Sequence, residues 1–479
     1  MRGLAVTSLA QVWLVCLNLL SGIVMARLLV PQDFGLVAMV APSIALVSLV
    51  QDMGVHLTVI QRSEISQRQI SAMFATSALV SVALALVLVA SAPLQAEFYS
   101  EPRVSSLLVA FSGLVVLWNL QSIPMALLVR QMNFTAAARI EVAANTLGFV
   151  AGAGFAAATG SYWALFVAMA TTALINSSGA WIASGFTPHR PSFEGEMRSL
   201  LGLGSSLTLG SIFNYVERNA DIALIGRFRD AVELGYYSRA YTLLLMPLRQ
   251  IRNPIGRVIL PYLSKARNDP ARYAYGYTTA LSVMLLLVHP ALLVLSVFAE
   301  DVFTLLLGPQ WRPAGEVFFW LGIAGMHQIL TSTVGWVLTS QGRGRDIVLT
   351  SGLGCLISVT AFVIGLPDGA VGIARAYAIS DIVVKMPVIW WIATRRGPLS
   401  LADFAASMLP HLAALLVVGG VFFNLRPALP APGVGGIGVL TLASYLGCLA
   451  VLGLFPAKRA VLAGEFRKRA LPMIRRVLA

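Results

Sequence analysis

Long runs of apolar residues, separated by short polar connections, make up most of this chain. A helix needs about 20 predominantly apolar residues to cross a membrane, and the pattern predicts about fourteen transmembrane helices. Hydrophobic residues make up 57% and charged residues 11% of the 479 residues, whereas a soluble domain carries about 25% charged residues. We therefore predict an all-α integral membrane protein. The approximate limits of its helices are 4–29, 35–60, 70–94, 104–129, 140–159, 161–184, 199–226, 234–262, 273–299, 314–339, 346–366, 369–393, 403–424 and 434–456.

The polar connections divide these helices into groups. The longest internal connection, residues 185–198, includes Pro188 and Pro191 and separates the first six helices from the next six. Three prolines, at 427, 430 and 432, break the chain between the last two helices. The predicted organisation is an N-terminal six-helix lobe (1–184), a cytoplasmic linker (185–198), a C-terminal six-helix lobe (199–396), two extra helices (397–456) and a basic cytoplasmic tail (457–479).

A short internal repeat supports two related lobes. Residues 27–35 (RLLVPQDFG) align with residues 227–235 (RFRDAVELG): an arginine closes one helix, and an acid–apolar–glycine triplet follows whose glycine lies eight residues after the arginine. Because six helices return the chain to the same side of the membrane, the two copies share one orientation. Parallel repeats of this kind place a substrate site at their interface. We therefore expect two parallel six-helix lobes around a central cavity, with two additional C-terminal helices.

The distribution of basic residues predicts the orientation. If the N-terminus is cytoplasmic, most of the 34 lysines and arginines fall in connections on the cytoplasmic side, as the positive-inside rule requires. Both termini are then cytoplasmic. The basic stretch Lys458–Arg476 is either a simple topology anchor or a segment that rests on anionic lipid headgroups.

Charged residues within two of the predicted helices are the main candidates for function. A charge at the bilayer centre costs at least about 3 kcal/mol on insertion scales, so such residues normally face a helix-bundle interior or a water-filled cavity. Asn214, Glu217, Arg218 and Asp221 fall within about a third of a helix circumference. This polar stripe is either the wall of a cavity or a set of internal ion pairs that holds helices together.

Arginine is the dominant charged residue in these helices, which favours an anionic cargo. The guanidinium fork matches phosphate oxygens, and a low dielectric strengthens the attraction. The candidates for substrate binding are Arg218, Arg239, Arg249 and Arg252, with Arg27 and Arg227 as candidates at the end of the pathway. The candidates for ion coupling or for pairing with the arginines are Glu217, Asp221 and Asp52. Asp381 and Lys385, four residues apart on one helix face, are predicted to form a structural ion pair.

The motifs of several enzyme classes are missing from the sequence. It contains no GxxxxGK[ST] phosphate-binding loop, no HExxH and no nucleophile elbow, and the spacing of Cys16, Cys355 and Cys448 does not suit a metal. We therefore expect no catalytic residues, no metal site, no cofactor and no nucleic-acid partner.

Several segments resemble a known family. The stretches ARLLVPQDFGLVAM, VQDMGVHLTVIQR, NADIALIGRFRDAVELGYYSRAYTLLLMPLRQIRNPIGRVILPYLSKAR and TLLLGPQWRPAGEVFFWLG are similar to bacterial polysaccharide flippases of the Wzx type. These proteins belong to the multidrug/oligosaccharidyl-lipid/polysaccharide (MOP) exporter superfamily. The resemblance implies a two-lobe, alternating-access fold in the bacterial cytoplasmic membrane. It also implies translocation of undecaprenyl-diphosphate-linked repeat units for exopolysaccharide, capsule or O-antigen synthesis, with polysaccharide polymerase machinery as a possible partner. It transfers no specific site residues.

Two alternatives remain open from the sequence. A drug or small-molecule antiporter of the same superfamily would be expected to have an acidic, aromatic cavity for cationic cargo, whereas the charged helices here are basic. A membrane glycan polymerase, ligase or acyltransferase would need a site outside the bilayer. The longest predicted outside loop, residues 300–313, is short and has no paired acid and base.

Overall fold

The computed structural model describes residues 2–51, 58–60, 62, 65–189, 209–428 and 432–455. Asp52, the linker from residue 190 onwards and the predicted tail 457–479 lie outside these residues. Within the described ranges every regular element is a helix, which agrees with the predicted all-α class. Contacts divide the chain into two compact units, Met1–Ser238 and Arg239–Ala479.

The first unit contains seven complete helices among its described residues and the start of an eighth. They are α1 (Arg2–Leu28), α2 (Pro31–Gln51), α3 (Gln67–Tyr99), α4 (Arg103–Arg130), α5 (Phe134–Thr159), α6 (Trp163–Ser184) and α7 (Leu209–Phe228), followed by α8 (Ala231–Lys265), which continues into the second unit.

Small residues bring the helices of the first unit into close contact. On α5, a methyl group at Gly148 would lie 2.0 Å from the hydroxyl of Thr172 on α6, and one at Gly152 would lie 2.5 Å from the side chain of Ala168. In lipid the hydrophobic effect does not drive helices together, so such close packing is a main source of association. α6 also packs against α4, and α1 packs against α5.

The second unit contains the end of α8 and the remaining helices. They are α9 (Pro270–Val297), α10 (Ala299–Leu307), α11 (Arg312–Ser340), α12 (Gly344–Gly365), α13 (Gly369–Ser380), α14 (Met386–Thr394), α15 (Leu401–Leu425) and α16 (Val434–Gly453). A π-helical segment, Asp381–Lys385, joins α13 to α14, and three 3₁₀ turns lie at Pro309–Trp311, Leu366–Asp368 and Arg426–Ala428.

Helix α9 is the centre of the second unit, since it packs against α11, α15 and α16. Two buried tyrosines join α9 to α11: Tyr273 lies 2.6 Å from the hydroxyl of Ser340, and Tyr277 lies 2.6 Å from that of Thr333. A buried hydroxyl needs a hydrogen-bond partner. These pairs therefore fix the register of the two helices.

Local sequence explains where several helices begin and end. Ser66 and Gln69 form a reciprocal capping box at the start of α3, and Ser400 caps α15 in the same way. The Asp269 side chain accepts a backbone hydrogen bond at the start of α9, where Pro270 suits the first helical position. Gly160, with a φ of 59°, ends α5 in the left-handed conformation that glycine tolerates.

Eleven segments of the described residues are long and apolar enough to cross a membrane. One of them, Gly344–Thr394, has 51 residues and is long enough for two crossings at about 20 residues each. The two helices that carry the candidate charges, α7 and α8, are not among the eleven, because their charged and polar residues lower their hydropathy. The count of fourteen crossings and the lobe boundaries at 184 and 396 stay predictions.

Candidate functional site

The polar stripe predicted on α7 does not have one uniform environment. Arg218 and Asn214 are exposed and Glu217 is partly buried, whereas Asp221 is only 2% exposed. The four residues therefore lie at different depths, with the cation at the surface of the unit and one carboxylate in its interior.

Asp221 has a defined partner that sequence spacing did not indicate. The hydroxyl of Tyr237, on α8, donates a hydrogen bond of 2.7 Å to the Asp221 carboxylate, and Tyr237 is itself 1% exposed. The backbone N–H of Ile222 donates a second bond of 2.8 Å to the same carboxylate. A buried carboxylate needs such donors. Asp221 thus joins α7 to α8, and an ion-coupling role for it stays a hypothesis.

The two repeat arginines, Arg27 and Arg227, both lie exposed at the ends of their helices. Arg227 donates a 3.4 Å hydrogen bond to the Ser100 hydroxyl and lies over the rings of Phe98 and Phe228, at 5.8 and 5.7 Å from the ring centroids. Such cation–π contacts contribute about 0.5–1 kcal/mol at exposed sites. Arg227 therefore anchors the end of α7 to the end of α3.

The connection between α3 and α4 contains an ion pair close to Ser100, between Arg103 and Glu101. Arg103 donates two hydrogen bonds of 2.8 Å to the Glu101 carboxylate. These bonds hold the pKa of Glu101 below its ordinary value. The ionised Glu101 therefore pairs with Arg103, whereas Arg227 contacts the rings of Phe98 and Phe228.

The arginines of α8 lie in the second unit, on a helix that is apolar on one face. A methyl group at Gly325 of α11 would lie 2.4 Å from the side chain of Leu244, and one at Gly256 would lie 3.1 Å from the Trp336 ring. This face of α8 packs against α11. Arg249 is exposed, as expected for a residue on a polar face.

The remaining α8 candidates, Arg239 and Arg252, are partly buried. Since Arg218 and Arg227 belong to the first unit and the α8 arginines to the second, the grouping of all these candidates around one cavity stays a prediction. Asp52 lies outside the described residues.

The aligned glycines of the internal repeat meet where α2 and α8 begin. A methyl group at Gly35 would lie 1.7 Å from the carbonyl oxygen of Ala231, and one at Gly235 would lie 1.9 Å from the carbonyl oxygen of Pro31. The two contacts are reciprocal: each glycine faces the first residue of the other helix. We call the contact between 31–35 and 231–235 the α2–α8 crossing. Only glycine permits an approach of two backbones this close.

Polar residues next to the α2–α8 crossing complete the two helix starts. The Asp33 carboxylate accepts the backbone N–H of Val30 at 3.1 Å, and the Asp230 carboxylate accepts that of Glu233 at 2.8 Å. These are the two halves of a capping box, used separately in the two repeats. The sequence alignment included both acids, but it could not show that the two helix starts touch.

The predicted ion pair of the second unit is confirmed. Lys385 Nζ lies 3.3 Å from the Asp381 carboxylate and 3.3 Å from the Ser358 hydroxyl, and it lies 5.4 Å from the centroid of the Tyr377 ring. Asp381 and Lys385 are both buried. The sequence did not indicate that the helix is π-helical between them.

Comparison with solved structures shows which fold this is. The chain is similar to a lipid II flippase, MurJ, in an inward closed conformation, with a TM-score of 0.73, 15% identity, and coverage of 94% of this chain and 98% of that one. It is also similar to an inward-facing multidrug resistance MATE family transporter of the MOP superfamily, with a TM-score of 0.59, 13% identity, and coverage of 78% and 93%. The fold is that of a polytopic helical membrane transporter.

Sequence comparison then gives the family. The chain belongs to the polysaccharide biosynthesis protein family, whose model matches residues 24–316. It is 24% identical to the lipopolysaccharide biosynthesis protein WzxC of Escherichia coli over 79% of this chain and 77% of WzxC. It is 25% identical to the teichuronic acid biosynthesis protein TuaB of Bacillus subtilis, over 79% and 78%. The resemblance to Wzx-type proteins of the MOP superfamily is thereby confirmed.

Proposed function

We propose that this protein is a flippase that moves undecaprenyl-diphosphate-linked oligosaccharide repeat units across the bacterial cytoplasmic membrane. It acts as a transporter, not as an enzyme, and supplies exopolysaccharide, capsule or O-antigen synthesis. The observation that carries the proposal is the exposed arginines of α7 and α8, Arg218 and Arg249, in a chain of the polysaccharide biosynthesis family. Family membership supports the substrate class, and the arginines support a phosphate-bearing headgroup.

In this mechanism the arginines hold the diphosphate while the polyprenyl chain stays in lipid. Arg218, Arg239, Arg249 and Arg252 are the proposed phosphate ligands, because guanidinium groups bind phosphate oxygens in a bidentate manner. Arg27 and Arg227 lie towards the end of the pathway. Glu217 and Asp52 balance these cations or bind the coupling ion.

The α2–α8 crossing is the proposed closing device of the alternating-access cycle. The short reciprocal approaches at Gly35 and Gly235 bring together the starts of two helices that belong to the two predicted lobes. A contact between two backbones is suited to open and close as a unit, since no side-chain rotamer has to change. Opening it gives the headgroup an exit on the outer side.

The proposed orientation places both termini in the cytoplasm. The basic segment Lys458–Arg476 then meets the anionic inner leaflet. Polysaccharide polymerase machinery on the outer side is the proposed consumer of the translocated units.

The proposal is tested by locating the lipid-linked repeat unit in cells with and without this protein. We expect complete units to accumulate on the cytoplasmic leaflet when the protein is absent. Units that reach the outer leaflet but stay unpolymerised would instead indicate an enzyme that acts after translocation. Normal units with increased sensitivity to cationic drugs would indicate the antiporter alternative.

The arginine site is tested by Arg218→Gln, with Arg312→Gln as the matched control. Arg312 is an exposed arginine whose guanidinium lies 3.2 Å from Glu300, a surface pair that contributes about 0–1 kcal/mol. Arg218→Gln is expected to stop translocation at an unchanged amount of membrane-inserted protein. Loss of folded protein with Arg218→Gln would support a structural role for this arginine.

A further inference from the structure

Three connections at one end of the second unit line an open, concave cavity of about 560 Å³. One lining residue, Arg267, follows the end of α8. The others lie in the turn between α11 and α12 with the first residues of α12 (Gln341–Asp346), and at the start of the α14–α15 connection (Arg396–Pro398). We call it the loop cavity. Its volume falls in the range of about 300–1,000 Å³ that is typical of small-molecule sites.

The charge that lines the loop cavity is strongly positive. Four of its lining residues are arginines, and Asp346 is the one carboxylate among them. Asp346 is already shared by two arginines: it lies 2.7 Å from Arg343 and 2.6 Å from Arg395. The other three lining arginines, Arg267, Arg345 and Arg396, are exposed.

Those three arginines have no acidic partner within the part of the chain that the structure describes. The ion pairs of the described residues involve other basic side chains, among them Arg103, Arg312, Arg343, Arg375, Lys385 and Arg395. A concave site with uncompensated positive charge concentrates anions.

Arg343 holds the wall of the loop cavity in one shape. Its guanidinium donates 2.7 Å hydrogen bonds to the carbonyl oxygens of Ile392 and Ala393 at the end of α14. It also donates to the side chain of Gln341 at 3.2 Å, and Gln341 in turn donates to the hydroxyl of the buried Tyr273 at 3.2 Å. The wall of the loop cavity is therefore held in place by hydrogen bonds between separate connections.

Two glycines allow the backbone to follow the cavity. Gly342 and Gly397 have φ values of 69° and 126°, which L-residues with a side chain rarely adopt. A methyl group at Gly397 would also lie 2.6 Å from the Gln341 side chain. The start of α12, where Arg343 makes no side-chain cap, adds the positive end of a helix dipole.

We propose that the loop cavity is a phosphate-binding site, with Arg267, Arg345 and Arg396 as its ligands. It is separate from the translocation arginines and does not rest on the translocation mechanism. The ligand is a phosphate or diphosphate group, either on an anionic lipid headgroup or on a soluble molecule. Trp391 supports the lipid source, since it is exposed, stacks with Arg395, and tryptophan favours the membrane interface.

Two measurements on the purified full-length protein distinguish a soluble phosphate ligand from a lipid headgroup. The first titrates inorganic diphosphate into the detergent-solubilised protein and measures the heat of binding. The second incorporates the protein into nanodiscs of phosphatidylcholine with and without phosphatidylglycerol, and counts the retained phosphatidylglycerol by native mass spectrometry. Replacing any one of Arg267, Arg345 and Arg396 by Gln is expected to weaken binding of the phosphate group about tenfold.

The control removes the same charge elsewhere. The triple variant Arg267→Gln, Arg345→Gln, Arg396→Gln is compared with Arg312→Gln, Arg375→Gln, Arg426→Gln, which leaves the loop cavity intact. Loss of diphosphate binding only in the first triple supports a soluble ligand, and loss of phosphatidylglycerol only in the first triple supports a lipid. Unchanged binding of both ligands, or equal losses in the two triples, would overturn the proposal.

Two further variants test whether the shape of the loop cavity matters as well as its charge. Arg345→Lys keeps the charge but loses the planar fork, and it is expected to bind more weakly than the wild type at an unchanged melting temperature. Gly397→Ala keeps every charge but forces a side chain into a left-handed φ next to Gln341. Full binding in both variants would show that total charge alone attracts the anion and would overturn the proposal.

Discussion

Replacing Gly235 by alanine perturbs the α2–α8 crossing with the smallest possible side chain. The added methyl group would lie 1.9 Å from the carbonyl oxygen of Pro31, and ordinary contact begins at 3.4 Å. The two helix starts must therefore separate by about 1.5 Å. Because the opposing atom belongs to the backbone, no change of rotamer can relieve the clash. Overpacking of this kind costs about 1–3 kcal/mol.

The expected result is a shift of the protein away from the state in which the crossing is closed. A cost of 1.4 kcal/mol changes a two-state equilibrium tenfold, so the closed population falls about tenfold or more if opening relieves the clash. The assay is a distance measurement by pulsed electron paramagnetic resonance. Spin labels are placed at Val30→Cys and Arg229→Cys, at two exposed positions near the crossing, in a variant without native cysteines.

Two controls make the assay decisive. Gly154→Ala, on α5, has no neighbour within 4 Å of the new methyl group and should leave the distances unchanged, with a slight gain in stability. Gly35→Ala should act like Gly235→Ala, and the double variant should cost less than the two single costs added, since one separation relieves both clashes. An unchanged distance distribution in both single variants would refute a gate at the α2–α8 crossing.

Two further predictions concern stability, measured by thermal unfolding of the detergent-solubilised protein. Tyr237→Phe removes the hydroxyl that donates to the buried Asp221 and should destabilise the protein by about 1–3 kcal/mol. The control Tyr275→Phe, at a position that is 56% exposed, should have little effect. Equal melting temperatures of the two variants would show that Asp221 finds another donor. Arg343→Gln removes the hydrogen bonds to the end of α14 and should lower the melting temperature by several degrees, while Arg345→Gln at the same turn should not.

The sequence alone determined the class of this protein. Membrane-crossing helices follow from the length and composition of apolar runs, which are local properties, and the helix starts at Ser66, Asp269 and Ser400 follow from local capping chemistry. The pair Asp381–Lys385 was predictable as well, because residues four apart on a helix are neighbours whatever the rest of the chain does.

Tertiary structure decided how the charged residues are used. The stripe on α7 looked uniform in the sequence, yet Asp221 is buried against Tyr237 while Arg218 is exposed, because the neighbours of a helix face are set by packing.

The sequence also indicated that Gly35 and Gly235 are equivalent, but not that each meets the helix of the other. The loop arginines served in the sequence only to orient the chain, and Arg267, Arg345 and Arg396 became one cavity when the ends of three helices were brought together. Contacts between residues far apart in the chain depend on the arrangement of whole helices, which no local pattern of residues encodes.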